Sequence, residues 1–265
     1  MMIRLLLLTL LVTVSAVSAV SAVSAVQAVE SDPIQSPMWD YTRQQFIGSA
    51  PYHFDERVKV LLPAFAENPT QVPLQIDATA LAGDIERIVV WADLNPIQHI
   101  FTYYPHPDVI PKVSLRFKVQ QGTAVRAAVL TQSGVWHVGS AYLDAAGGGC
   151  TTPSTTGNGS PFWESHLGET QSRSFPLASK GGVRFKFRVI HPMDTGLADA
   201  IPEFYIQQVI LQNAKKESLA RLELSQPVAE NPVISFDLRD DLNDQAGQYQ
   251  LWMRDNNGNE FEKAL

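Results

Sequence analysis

Apolar and polar residues alternate with a period of two along most of the chain. Val113, Leu115, Phe117 and Val119 alternate with Ser114, Arg116 and Lys118. That is the pattern of a strand with one buried and one wet face. Val183, Phe185, Phe187 and Val189 do the same against Arg184, Lys186 and Arg188. Further strands are predicted over residues 58–62, 72–78, 85–91, 125–131 and 135–143 in a first block. A second block adds 204–211, 218–224, 233–238, 249–253 and 260–265. Gln132-Ser133-Gly134 and Asn256-Asn257-Gly258-Asn259 read as hairpin turns. A short helix is expected around residues 40–46, with Trp39, Tyr41 and Phe46 tucking the N-terminal segment against the first block. No long amphipathic helix stands out. The expected fold is all-β: two immunoglobulin-like sandwiches, each of short strands separated by turns.

Between the blocks the pattern stops. Residues 145–160 read AAGGGCTTPSTTGNGS, small and polar with no apolar period. This Gly/Ser/Thr-rich stretch has the composition of a linker. The expected division is a leader over 1–28, an N-terminal extension over 29–54, and a first sandwich over 55–146. A cysteine-bearing arm and linker over 147–180 and a second sandwich over 181–265 complete it.

The leader is read from Arg4, the apolar run Leu5 to Val14, the Ser-Ala-Val repeat that follows, and the small-residue site Val26-Gln27-Ala28. It has the form of a secretory signal, with a retained membrane anchor as the competing reading. Export to the periplasm is expected, with no membrane contact once the leader is cleaved. The formal charge is −7. With no basic stripe evident along the sequence, nucleic acid is not an expected partner.

Export changes the meaning of the cysteine count, which is one. Exported domains usually pair their cysteines. Cys150 is therefore a buried filler, an intermolecular cross-link or a reactive thiol. Gly147, Gly148 and Gly149 precede it, and such a run is costly to hold in one conformation. The expectation is an accessible thiol on a flexible arm, suited to carrying cargo and poorly suited to fixed-geometry catalysis. None of the histidines stands at a motif spacing to Cys150. His99 and His106, with Asp108, lie in a Pro-rich stretch expected to be a loop, and ordinary surface histidines outweigh a metal site there. His191, before Pro192 at the end of a strand, reads as a turn residue with a hydrogen-bonded ring. Asp240 and Asp241 read as a solvated loop. No nucleotide or nucleophile-elbow motif is present. No cofactor and no metal is expected.

Particular stretches carry a family resemblance. Val72-Pro73-Leu74, Ile85-Glu86-Arg87-Ile88, Asp93-Leu94-Asn95-Pro96, Val125-Arg126-Ala127-Ala128 and Gly148-Gly149-Cys150 resemble SoxY, the carrier subunit of thiosulfate oxidation. His191-Pro192-Met193-Asp194-Thr195-Gly196, Ile201-Pro202, Phe204-Tyr205-Ile206, Glu230-Asn231-Pro232 and Arg254-Asp255-Asn256 resemble its partner SoxZ. As a fusion the chain resembles the SoxYZ-like carriers associated with quinoprotein dehydrogenases. The resemblance implies a carrier, not an enzyme. It also implies that a sulfur intermediate is tethered covalently to Cys150 and presented to periplasmic oxidoreductases, sulfur-oxidising or quinoprotein in type. An adaptor that docks a dehydrogenase, with Cys150 incidental, is the alternative. Thr151 and Thr152 stand where the family has trailing glycines, and the arm runs on into the second block. A loop tethered at both ends enters a partner only as a doubled chain.

Overall fold

The computed structural model describes residues 30–81, 85–155, 161–177, 182–239 and 249–265. The expected leader, the Asp240-Asp241 loop and the 156–160 part of the linker lie outside these residues. In the first block a helix α1 (Trp39–Phe46) precedes β1 (Tyr52–Phe54), β2 (Lys59–Leu61), β3 (Phe65–Ala66), β4 (Val72–Asp77) and β5 (Ile85–Ala92). Then come β6 (His99–Pro105), β7 (Val109–Phe117), β8 (Thr123–Thr131) and β9 (Trp136–Ala145). The second block opens on α2 (Pro161–His166) and continues with β10 (Thr170–Pro176), β11 (Val183–Val189), β12 (Asp194–Thr195) and β13 (Glu203–Phe204). It ends with β14 (Ile206–Gln212), β15 (Ser218–Leu224), β16 (Val233–Leu238), β17 (Gln250–Asp255) and β18 (Glu260–Ala264). The stretch holding His99 is thus strand β6, and the chain turns only briefly before β7. The Pro-rich composition suggested a loop, but Pro105 ends β6, Pro96 and Pro107 stand in the bend before it and the turn after it, and Pro111 falls where the β7–β16 register shifts.

The blocks are joined through more than their linker. One sheet runs β1-β9-β8-β5-β6-β15-β14-β17-β18, with β3 also paired to β9. The other runs β10-β11-β16-β7-β4-β2. Both sheets cross from one block to the other, through β6–β15 and β16–β7 pairs that are antiparallel. Each block therefore supplies strands to both layers, and the two halves meet edge to edge. Pairing these edges removes unpaired backbone groups that an isolated half would present to solvent. The layers pack face to face: Tyr103 of β6 lies 6.0 Å from Phe236 of β16 between ring centroids. One apolar cluster extends from Ile76 and Val113 in the first block to Phe187, Leu222 and Met253 in the second.

On the far side of the larger sheet, α1 and β1 cover a second cluster around Trp39, Trp91 and Trp136. Trp39 and Phe46 pack inward as expected, while Tyr41 stays exposed. Arg126 on β8 is wholly buried and ties this layer together. Its guanidinium donates to Asp32 at 2.6 and 2.7 Å and to Asp93 at 3.1 and 3.2 Å, and lies over the Trp39 ring.

The outward face of the six-stranded sheet collects cations from both blocks. The registers place Arg173 beside Lys186 and Phe175 beside Arg184, with Arg188 next along β11. Arg116 and Lys112 share that face from β7, and Lys59 from β2. Among the described residues the acids on it are Asp237, paired with Arg184 at 2.6 Å, and Asp77, paired with Lys112 at 3.0 Å. The expectation of no basic stripe is corrected here. Period-two patterning sends each strand's cations to one side, and pairing of distant segments then gathers them on one surface.

Candidate functional site

The first block ends at β9, and the arm that follows does not project into solvent. Gly147 and Gly148 both adopt left-handed backbone, φ +103° and +88°. An L side chain is strained there, so these glycines let the chain reverse. The Gly148 and Gly149 amides then donate to the carbonyls of Gln120, at 3.2 Å, and Val119, at 2.9 Å. A Cβ on Gly149 would stand 2.1 Å from the Pro69 carbonyl oxygen, so only glycine fits.

Cys150 follows and is fully buried. Its amide donates to Gln120 Oε1 at 3.2 Å, and its Sγ lies 3.6 Å from the Lys118 carbonyl oxygen. The expectation of an accessible thiol is corrected: the glycines permit movement, but partners from both halves fix the arm. Thr195 Oγ1 of the second block donates to the Cys150 carbonyl at 2.6 Å. Ser154 reaches Asp194 through its amide and its hydroxyl, both at 3.1 Å, and Thr155 reaches Glu230. Thr151 and Thr152 both donate to the Gly148 carbonyl, at 3.3 and 2.7 Å. These hydroxyls close a tight turn after the cysteine, which trailing glycines could not do. Cys150 thus sits in the seam between the halves.

The second half's side of the cradle is the segment 191–195. Met193 has φ +52° and Asn231 φ +49°, sparsely populated for residues with side chains. Such strain persists only where its surroundings impose it, and here His191 does so. The Met193 amide donates to His191 Nδ1 at 3.1 Å, and the His191 amide donates to Asn231 Oδ1 at 3.1 Å. The buried ring lies 3.6 Å from Asp255 and against Phe204. His191 thus follows the strand with its ring hydrogen-bonded, as expected, and its burial makes it an interior support as well. Burial pushes its pKa down, with Asp255 opposing the shift.

Lys118 spans the seam. It is 2% exposed, and its ammonium donates to the Met193 carbonyl. Burial lowers its pKa, while negative charge at Asp194, Cys150 and Glu230 works the other way. Burial pushes the Cys150 thiol up to about 12, with the Lys118 charge pulling it down only in part. In this conformation the sulfur is therefore a protonated thiol at neutral pH. A thiol is a far weaker nucleophile than its thiolate, so the docked arm shelters the cysteine. Among the described residues the thiol's hydrogen-bond neighbour is the Lys118 carbonyl, and no histidine is bonded to it.

Gln120, Lys118 and Thr195 were not singled out from the sequence. Period two placed Lys118 on the wet face with Ser114 and Arg116, but β7 ends at Phe117 and the lysine turns inward, so no signal in the sequence marked it. His53, Asp55 and His137 come together near β1 and β9, their ligand atoms within 4.8 Å. Arg57 engages both oxygens of Asp55 and His137 donates to one of them, so the trio is closed by its own hydrogen bonds. His99 bonds Ser225 and Thr102, and burial lowers its pKa to about 4.

Residues 43–150 match the family described as sulfur oxidation protein SoxY, and residues 176–265 match sulphur oxidation protein SoxZ. Similar solved structures include the sulfur carrier protein SoxY from Chlorobium limicola f thiosulfatophilum. It is 18% identical with a TM-score of 0.37, covering 41% of this chain and 96% of that one. Another is a putative membrane anchored protein from Corynebacterium diphtheriae, 8% identical with a TM-score of 0.23, covering 78% of this chain and 57% of that one. No curated protein matches the chain. The SoxY match ends on Cys150 itself, and the SoxZ match contains the whole cradle segment 191–195. The chain is a SoxY–SoxZ fusion and belongs to the SoxY/SoxZ family of non-catalytic sulfur carriers.

Proposed function

We propose that Cys150 is the covalent attachment point for sulfur and that the arm alternates between the docked conformation and one that presents the thiol. The observation that carries this reading is the position of Cys150: behind a two-glycine hinge, in the seam, held by neutral hydrogen bonds. Each such bond contributes about 1 kcal/mol net, so releasing the arm costs far less than unfolding the sandwich. Leaving the seam restores hydration and brings the thiol back toward its usual pKa near 9, which raises the thiolate fraction at neutral pH. The simplest balanced loading step uses a low-molecular-weight persulfide. The Cys150 thiolate attacks the outer sulfur, a new S–S bond forms, the donor's S–S bond breaks, and the donor leaves as a thiolate. No net oxidant is needed. Partner oxidoreductases, sulfur-oxidising or quinoprotein in type, would then act on the tethered sulfur in the periplasm.

Intact-mass measurement after incubation with a persulfide donor tests the assignment. The expected result is a gain of one sulfur on the wild-type chain and none on Cys150→Ser. An equal gain on the variant overturns it. The burial of Cys150 favours one second reading, an adaptor in which the cysteine only fills the seam. In that case Cys150→Ala keeps full pathway activity in cells, whereas the carrier reading requires its loss.

A further inference from the structure

We propose that the basic outer face of the six-stranded sheet is the docking surface for an acidic protein, the enzyme that receives the Cys150 arm. This rests on the carrier reading for the role of the partner, though the surface itself does not depend on cysteine chemistry. The chain is acidic overall, at −7, yet among the described residues this face carries seven cations against two carboxylates. Both carboxylates are already paired, and both lie toward the Lys112 and Arg184 end of the strands. Arg116, Arg173, Lys186 and Arg188 have no ion pair among the described residues. They occupy the middle of the face and the end nearest the arm. Arg116 stands two residues before Lys118, whose carbonyl receives the Cys150 thiol. Positive charge thus rises toward the cargo site.

Two features point to a protein occupant. Arg173 and Lys186 are direct cross-strand partners. Like charges in that register destabilise a sheet, and carboxylates from outside relieve the repulsion. A shallow groove also crosses β2, β4, β7 and β16; Val233 lies between Arg116 and Lys186, and Pro73 and Leu61 continue the apolar ground beyond Arg116. Apolar ground beside cations suits a polypeptide better than a bare polyanion, because it offers contact area that phosphates do not use. An acidic partner would be steered to this face at long range, bringing its own site beside the arm.

The test uses the full chain and a poly-L-glutamate peptide, followed calorimetrically at low salt. Wild type is expected to bind, with affinity falling as salt rises. The triple variant Arg116→Glu, Lys186→Glu, Arg188→Glu is expected to bind at least about tenfold more weakly. The control triple variant Lys215→Glu, Lys216→Glu, Arg254→Glu makes the same change in net charge elsewhere and is expected to retain binding. The idea is overturned if wild type does not bind, or if the control loses as much as the test variant. It is also overturned if duplex DNA or phosphatidylglycerol vesicles bind wild type more tightly than the peptide. Cys150→Ser is expected to bind the peptide like wild type, and the charge-reversed variant to accept persulfide sulfur like wild type. A chain that docks but takes no sulfur therefore sinks the carrier reading and leaves the surface standing.

Discussion

Thr195 gives the arm its contact with the second half, through the hydroxyl that meets the Cys150 carbonyl. Replacing it with valine leaves a buried carbonyl without its donor, at a cost of about 1 kcal/mol or more to the docked arm. Thr195→Val is therefore expected to raise the native-state alkylation rate of Cys150 by roughly fivefold, as followed with iodoacetamide; an unchanged rate contradicts the docked geometry. Docking also depends on pH. The docked thiol, pushed up to about 12, keeps its proton where a released thiol near 9 has lost it. The contribution to docking is full below pH 9 and falls as pH rises toward 12. Alkylation should accelerate across that window beyond the simple growth of thiolate, when compared with a small free thiol. Arg126 is the residue on which the N-terminal layer depends. Arg126→Met strands Asp93 in the interior, and urea denaturation should show a loss of about 3–5 kcal/mol.

The arm is an element whose glycines are not interchangeable. Gly148 meets nothing within 4 Å of a would-be Cβ, whereas Gly149 meets the Pro69 and Val119 carbonyls. Gly149→Ala is expected to expel the arm and make Cys150 react at nearly the rate of a free thiol, while the sandwich keeps its circular dichroism. Retained protection would contradict the packing described. Composition made the freedom of this segment legible but not its restraint. Its partners lie 30 to 45 residues away at Gln120 and Thr195, and nothing in a glycine run points to them. Most strands were legible because burying one face forces alternation. β10 was not, since nearly all of its side chains are exposed and no apolar period marks it. Its backbone pairs with β11 through seven residues all the same.

At the scale of the molecule, the two blocks were legible and their merger was not. The β6 stretch reads as a loop, and the alternation of β15 would serve equally well for an edge that meets solvent, so nothing in the sequence announces their pairing. Their union makes one apolar cluster of both halves. Trp91 of the first half and Trp252 of the second should then report a single unfolding transition. Variants that keep only one of these tryptophans as the fluorescent probe can measure this, and midpoints well apart would contradict a shared core. The assembly of the basic face has the same origin, since it exists only once segments more than a hundred residues apart become neighbours.

The arm belongs to one half of the chain, and Thr195, Met193 and Asp194 of its cradle belong to the other. When two such halves are separate proteins, sheltering the sulfur is a bimolecular matter that weakens on dilution. In a single chain the cradle is present at a fixed effective concentration, however scarce the protein becomes. The fused carrier therefore cannot lose its cover by dissociating, nor exchange it for another subunit's.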